Sequence, residues 1–180
     1  MKLLAFAASS SKNSINKQVA THAANVYKTE FDQDADIEIL DLNDYEMPIY
    51  SIDRENENGI PELAHTFLNK IGEADLLVIS YAEHNGSYSA AYKNIFDWMS
   101  RINTKVFQNK KMLIMASSVG GHGGANILET AVESAPHFAA DVIGSFTVGP
   151  FAEKFDSEIG QFSDPELAKK LRLVLESADQ

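Results

Sequence analysis

The sequence predicts an α/β fold in which five parallel strands form one sheet with helices on both faces. Three observations lead there. Five short apolar runs alternate strictly with segments whose apolar residues recur at helical spacing. Most of the runs are continuous, as strands buried on both faces must be. Helix start signals also stand where the periodic segments begin.

"KLLAFAA", residues 2–8, reads as a buried strand from its length and unbroken apolarity. Helical spacing follows over residues 16–27, with Ser14 placed to cap it. "IEIL", residues 37–40, alternates like an edge strand, and the next helical segment, 61–71, has Pro61 at an N1-like position. "DLLVIS", residues 75–80, is the third strand and 90–99 the helix after it. "KMLIMAS", 111–117, and "DVIGSFTV", 141–148, complete the sheet, with a helical segment at 124–138 between them. A last helix is expected from about 165 to 177, where "SDPEL" offers an Asp-Pro start and a Ser-x-x-Glu capping box. No linker or solenoid repeat interrupts the pattern, so residues 1–180 are expected to form one domain. The most economical arrangement of these elements is the flavodoxin-like doubly wound sheet, with strand order 2-1-3-4-5.

At 180 residues the chain is long enough to bury a core without disulfides or structural metals. The absence of cysteine excludes disulfides, thiolate metal sites and a cysteine nucleophile together. The opening "MKLLAFAASSSKNS" turns polar at Ser9, too soon for a membrane span and poorly for a signal peptide, so the cytoplasm is the expected location. A net charge of -11 disfavours nucleic acid and anionic membranes as partners. Residues 30–46 carry Glu30, Asp32, Asp34, Asp36, Glu38, Asp41, Asp44 and Glu46 with no Lys or Arg. That stretch reads as a solvated loop and an edge strand whose charges deter pairing.

Order 2-1-3-4-5 makes strands 1, 3 and 4 neighbours, and ligands of such sheets sit beyond the carboxyl ends of the strands. The first loop to inspect is "ASSSKNSIN", residues 8–16, with small hydroxyls, a cation and an amide at the mouth of a helix. Free N–H groups and the helix dipole favour a phosphate there. The residues alone leave open whether the loop does this or only caps the helix through Ser14. It is neither a Walker motif nor a G-x-G-x-x-G fingerprint.

The second loop lies within "ISYAEHNGSYSAAYKNIFDWMSR", residues 79–101, where Asn85-Gly86 permits a tight turn. Glu83, His84 and Tyr88 beside it offer hydrogen-bonding groups and flat surfaces for a planar ring. Read alone, His84 is more often a solvated loop histidine, and His22, His65, His122 and His137 are scattered without metal-ligand spacing. The third loop, "SSVGGHGGAN", residues 117–126, brings Gly120, Gly121, Gly123 and Gly124, either as an amide surface for a ligand or as a flexible connector. A phosphate cradle, a polar hinge and an amide surface on neighbouring strands suit a phosphorylated planar cofactor such as FMN.

On these residues the sequence resembles the NADPH-dependent FMN reductase family, which includes small quinone, chromate and azo-dye reductases. The family's first signature, roughly G-S-x-R-x-x-S-x-N, lines up with residues 8–16. Ser9, Ser14 and Asn16 match, while Ala8 stands for the glycine and Ser11, followed by Lys12, for the arginine. The second, roughly P-E-Y-N-G-S-x-P-x-x-L-K-N-x-x-D-W, falls on residues 82–98. Glu83, Asn85, Gly86, Ser87, Lys93, Asn94, Asp97 and Trp98 match it, and Ala82, His84, Ser89 and Tyr92 depart. The third is the Ser- and Gly-rich stretch 117–124, and with the "FDSEIGQFSDPEL" tail the similarity spans nearly the whole chain.

The resemblance implies FMN as cofactor, NADPH or NADH as electron donor, and a small acceptor such as a quinone, flavin, azo or nitro compound, or metal oxyanion. It implies that Ser9, Ser11, Lys12, Ser14, Ile15 and Asn16 surround the FMN phosphate. By the same resemblance Ala82, Glu83, His84, Asn85 and Gly86, with Ser117, Val119, Gly120, Gly121 and Gly123, border the isoalloxazine. Lys93, Asn94, Asp97 and Trp98 are expected to brace the following helix or a subunit contact, in a homodimer or homotetramer. No catalytic acid, base, nucleophile or metal is nominated, because the flavin carries the chemistry, and the serines of the first loop lack a G-x-S-x-G elbow. Two alternatives stand beside this reading: a flavodoxin-type electron carrier, which the acidic surface would suit, and a regulatory module without tight flavin.

Overall fold

Alternating side chains of each inner strand enter opposite cores, and this explains why the strands read as unbroken apolar runs. The computed structural model describes residues 1–178. Its sheet consists of β1 (Lys2–Ala8), β2 (Asp36–Leu40), β3 (Leu76–Tyr81), β4 (Lys110–Ser117) and β5 (Ala140–Val148), all parallel, in the order β2-β1-β3-β4-β5. Leu4, Phe6, Leu77, Ile79, Met112 and Ile114 face one core, built with α3 (Glu62–Glu73), α4 (Ala90–Ile102) and α5 (Ala125–Ser134). Leu3, Ala5, Leu76, Val78, Leu113 and Met115 face the other, built with α1 (Ile15–Glu30) and α7 (Pro165–Ala178). The flavodoxin-like expectation and the strand order both hold, and strand ends differ from the sequence reading by a residue or so.

Local chemistry sets the helix limits. Ser14 caps α1, accepting from the Lys17 N–H at 3.2 Å. Pro61 stands at the N-cap of α3, one place before the expected N1, and makes no side-chain cap. The 124–138 helix ends at Ser134 and tightens to a 3-10 turn over Ala135–Phe138 at Pro136, which has no N–H to continue an α-helical ladder. At the last helix Asp164 is the cap, accepting from Glu166 N–H at 2.8 Å, while the Ser163 hydroxyl donates to the Glu153 carbonyl.

Besides a 3-10 turn over Leu42–Tyr45, three pieces went unread in the sequence. Helix α2 (Ile52–Asn58) buries none of its residues, so it has no apolar stripe to read. It is held by Tyr50 Oη and Arg101 Nε on Glu55, at 3.1 and 2.8 Å. The short helix α6 (Phe151–Lys154) leads into a hairpin of β6 (Phe155–Asp156) and β7 (Gln161–Phe162), elements too brief to show periodicity. The acidic stretch is partly paired rather than wholly solvated: Glu30 meets Arg172, Asp32 the N-terminus, Glu38 Lys70, and Asp41 Lys17.

The hairpin seats on α1 through His22, which is only 8% exposed. The imidazole lies edge-on to Phe162 and Phe155, with centroids 4.6 and 5.8 Å away. Burial, aided by the nearby Arg172 charge, pushes it down to about 4 from its ordinary 6.5. The unfolded chain therefore takes up a proton in that window that the folded chain refuses. This contribution to stability is complete above pH 6.5 and is lost as pH falls toward 4. Urea midpoints measured across the window should fall more steeply for the native chain than for His22→Gln, and equal slopes would place the titration elsewhere.

Candidate functional site

Three loops leave the sheet side by side, since Ala8 pairs with Tyr81 and Tyr81 with Ala116. Their polar residues divide into those that lock the loops together and those left open. Asn16, at the second position of α1, is 2% exposed and turned inward. Its Oδ1 accepts from Ser80 Oγ at 2.7 Å and from the Ser117 N–H at 2.9 Å, and its Nδ2 donates to the Ser117 carbonyl at 3.0 Å. One amide thus ties the start of α1 to the ends of β3 and β4. Ser117 Oγ in turn donates to Val148 O at 2.7 Å, adding the end of β5. Ser89 donates to Ala8 O at 2.9 Å and caps α4, adding the end of β1.

The first loop presents free donors. Ser9 Oγ accepts from the Ser11 N–H at 3.1 Å, which folds the loop back. Among the described residues no hydrogen bond occupies the backbone N–H of Lys12, Asn13, Ser14, Ile15 or Asn16. Five consecutive unbonded amides at a helix mouth form a concentration of partial positive charge. The Lys12 side chain, exposed beside them, forms no ion pair among the described residues. This donor set fits a phosphate monoester.

In the second loop, Asn85 and Gly86 both have positive φ, 53° and 76°, and His84 and Ser87 exchange backbone hydrogen bonds at 2.9 and 3.1 Å. That is the mirror-image two-residue turn an Asn-Gly pair favours. Glu83 does not point at open space: its carboxylate accepts from Ile127 N–H at 3.0 Å and Asn126 Nδ2 at 3.2 Å, anchoring the loop to the first turn of α5. Beneath it Tyr81, Tyr88 and Tyr92 pack together, with Tyr81 and Tyr92 hydroxyls 3.1 Å apart, and burial raises the pKa of both.

The glycines of the third loop serve two purposes. A Cβ on Gly149 would lie 2.3 Å from Gly123 Cα, so Gly123 is a place where two backbones touch. Gly120 and Gly121 stand in open space, next to a Val119 side chain that is 84% exposed. Residues 84–87 and 119–122 are all exposed, in the loops that follow β3 and β4.

The structure therefore gathers the sequence-predicted residues at one end of the sheet, with the side chains of Ser9, Ser14, Asn16, Glu83 and Ser117 engaged in holding it. Ile15 is half-buried against the α1 core, and Ala82 is buried. The sequence reading missed Ser80 and Asn126. A polar residue closing an apolar strand was the only signal for Ser80, and none marked Asn126. The bracing role fits two residues directly. Asn94 accepts from Tyr50 N–H at 2.8 Å and donates to Met47 O and Pro48 O, and Trp98 Nε1 donates to Pro48 O at 2.7 Å. Both hold the segment after β2 against α4.

Sheet order and the position of these loops define a flavodoxin-like protein. The profile of the NADPH-dependent FMN reductase family matches residues 1–153, so the chain belongs to that family and is a flavin-dependent NAD(P)H oxidoreductase with FMN as its flavin. It is 29% identical over 163 residues to a quinone reductase of Escherichia coli K12, spanning 85% of this chain and 80% of that one. It is 32% identical over 145 residues to an NADPH:quinone oxidoreductase of Arabidopsis thaliana, spanning 77% and 70%. Among solved structures, the flavoenzyme NAD(P)H:(acceptor) oxidoreductase FerB of Paracoccus denitrificans superposes with a TM-score of 0.75 at 19% identity, covering 98% and 94% of the two chains.

Because Asn16 satisfies three buried groups at once, Asn16→Ala should cost roughly 3 kcal/mol in urea unfolding, whereas Ser80→Ala, which removes one donor, should cost about 1 kcal/mol. Equal small losses would show that water replaces the amide.

Proposed function

We propose that the first loop cradles the FMN phosphate through the free N–H groups of residues 12–16 and the Lys12 ammonium. On this reading Ser9, Ser11 and Ser14 shape the cradle, and Ile15 and Asn16 contribute backbone donors. The ring lies on the shelf between residues 82–86 and 117–123. His84, Asn85, Gly86, Val119, Gly120 and Gly121 are the exposed surfaces for it, while Ala82, Glu83, Ser117 and Gly123 fix the shelf's shape. The observation that carries this assignment is the run of five unbonded amides beside two loops whose strands are register neighbours.

Held by the amides of residues 12–16 and the loops at 82–86 and 117–123, FMN would supply the redox chemistry, two-electron transfer from the nicotinamide to the acceptor. For a quinone acceptor the net reaction converts reduced nicotinamide, quinone and one proton from solvent into oxidised nicotinamide and hydroquinone. The protein's part is to fix the ring, present one face, and leave room for donor and acceptor to visit it in turn. A quinone is the acceptor we favour, supported by the names of both relatives.

We further read residues 1–180 as one domain of a cytoplasmic homodimer or homotetramer, in which a second copy closes the open side of the shelf. The charge of -11 supports the exclusion of nucleic acid and anionic membranes as partners. Among the described residues no helix is long and apolar enough to cross a membrane.

Protein loaded with FMN and freed of excess should keep a flavin absorption band that bleaches when NADPH or NADH is added without oxygen. The faster donor identifies the preference, and a chain that retains no flavin contradicts the cradle. Lys12→Ala should weaken FMN binding about tenfold in a fluorescence titration, because the five amides remain while a charge is lost. Lys12→Arg should preserve it or tighten it through bidentate contact.

A further inference from the structure

The chain contains two Asn-Gly pairs, Asn58-Gly59 at the end of α2 and Asn85-Gly86 in the loop after β3. In such a pair the glycine nitrogen has no side chain beside it to keep it from the asparagine carboxamide, so the amide is readily lost. The two pairs are closely matched. All four residues are exposed, both glycines have positive φ (74° and 76°), and a Cβ added to either would meet nothing within 4 Å.

They differ in how the attacking nitrogen is held. Gly59 N–H donates to the Glu55 carbonyl at 2.8 Å, and Asn58 is the last residue of a helix. Gly86 N–H has no hydrogen bond among the described residues, because the turn is closed by His84 and Ser87 on either side of the pair. The Asn85 carboxamide has no partner among them either, and its φ of 53° lies in the left-handed region, where an L residue is least stable. Asn13 also precedes an unbonded N–H, that of Ser14. There the serine Cβ crowds the nitrogen, and the Ser14 hydroxyl and carbonyl are tied to the N–H groups of Lys17 and Gln18.

We propose that Asn85 is a self-modification site and that its conversion weakens flavin binding. The Gly86 nitrogen bonds to the Asn85 side-chain carbonyl carbon, the bond from that carbon to Nδ2 breaks, and the glycine N–H proton leaves with the amide as ammonia. Water then opens the five-membered imide at either carbonyl, giving aspartate or its β-linked isomer with no change of oxidation state. The β-linked product adds a methylene to the backbone of a two-residue turn, so the paired His84 and Ser87 hydrogen bonds at 2.9 and 3.1 Å lose their register. Either product places a carboxylate where a neutral amide stood. The effect on the cofactor rests on the flavin ring lying beside this loop, whereas the modification itself does not.

Flavin-free and FMN-loaded protein are aged side by side in mildly alkaline buffer. Each asparagine peptide is followed by its gain of one mass unit and by methyl transfer with an isoaspartate-specific methyltransferase. In the flavin-free chain Asn85 is expected to convert about fivefold faster than Asn58, the factor that one backbone hydrogen bond on the attacking nitrogen supplies. Gly86→Ala should slow conversion at Asn85 and leave Asn58, in the same molecule, at its native rate. Bound FMN should slow Asn85 alone, and converted protein, separated by its added charge, should bind FMN at least about fivefold more weakly in a fluorescence titration. Conversion at Asn85 no faster than at Asn58 overturns the proposal, as does protection by FMN joined to an affinity that conversion leaves unchanged. Fast conversion at Asn85 that bound FMN does not slow would uphold the modification site and instead remove the flavin ring from this loop.

Discussion

The Asn16 amide holds the site end of this protein together. It reaches from the first turn of α1 across the sheet to Ser80 on β3 and to both backbone groups of Ser117 on β4. Parallel strands bring their loops to the same edge but do not fix the loops' heights, because the ladder ends where the strands end. A buried amide with both faces satisfied supplies that missing constraint. Ser89 on the Ala8 carbonyl and Ser117 on the Val148 carbonyl extend it to β1 and β5. The open face of the site can then be polar and exposed without being loose.

The two kinds of residue in the site follow from this. Groups that would be costly to bury unpaired are used to lock loops: Glu83 on the first turn of α5, Asn16 on the strand ends, and Ser117 on the next strand. Groups that remain free are backbone donors and exposed surfaces, such as the amides of residues 12–16 and the stretch Val119, Gly120 and Gly121. Such a division suits a cofactor that brings its own reactivity and needs placement more than it needs an acid or base. On the proposed reading a chain of charge -11 would receive a phosphate because local amides and Lys12 act at contact distance while the carboxylates elsewhere are screened by solvent.

The matched motif over residues 82–98 illustrates the same economy. Its first half builds the turn with positive φ at Asn85 and Gly86. Its second half turns away from those loops: Asn94 and Trp98 bind the carbonyls of Met47 and Pro48, and just beyond the motif Arg101 extends over Tyr50 toward Glu55. One helix therefore positions a loop at its start and a strap along its side, so both halves of the motif support the same end of the sheet.

The five strands, the order of the sheet and the three loops were legible in the sequence, because burial on both faces demands unbroken apolar runs and parallel strands demand helices between them. Strand adjacency then followed from the fold class, and with it the choice of loops. What the sequence could not show was the direction of the polar side chains. Asn16 and Lys12 look alike as polar residues of one loop, yet one is sealed inside and the other meets water. Gly123 and Gly120 read the same, yet one is pressed against Gly149 and the other stands free. The hairpin at 155–162 was invisible for a related reason: two-residue strands have no period, and its contact with His22 joins residues 140 positions apart. Periodicity records which face of an element is buried, so it determined the fold. Hydrogen-bond partners and close backbone approach are pairings across the chain, which only the tertiary structure decides.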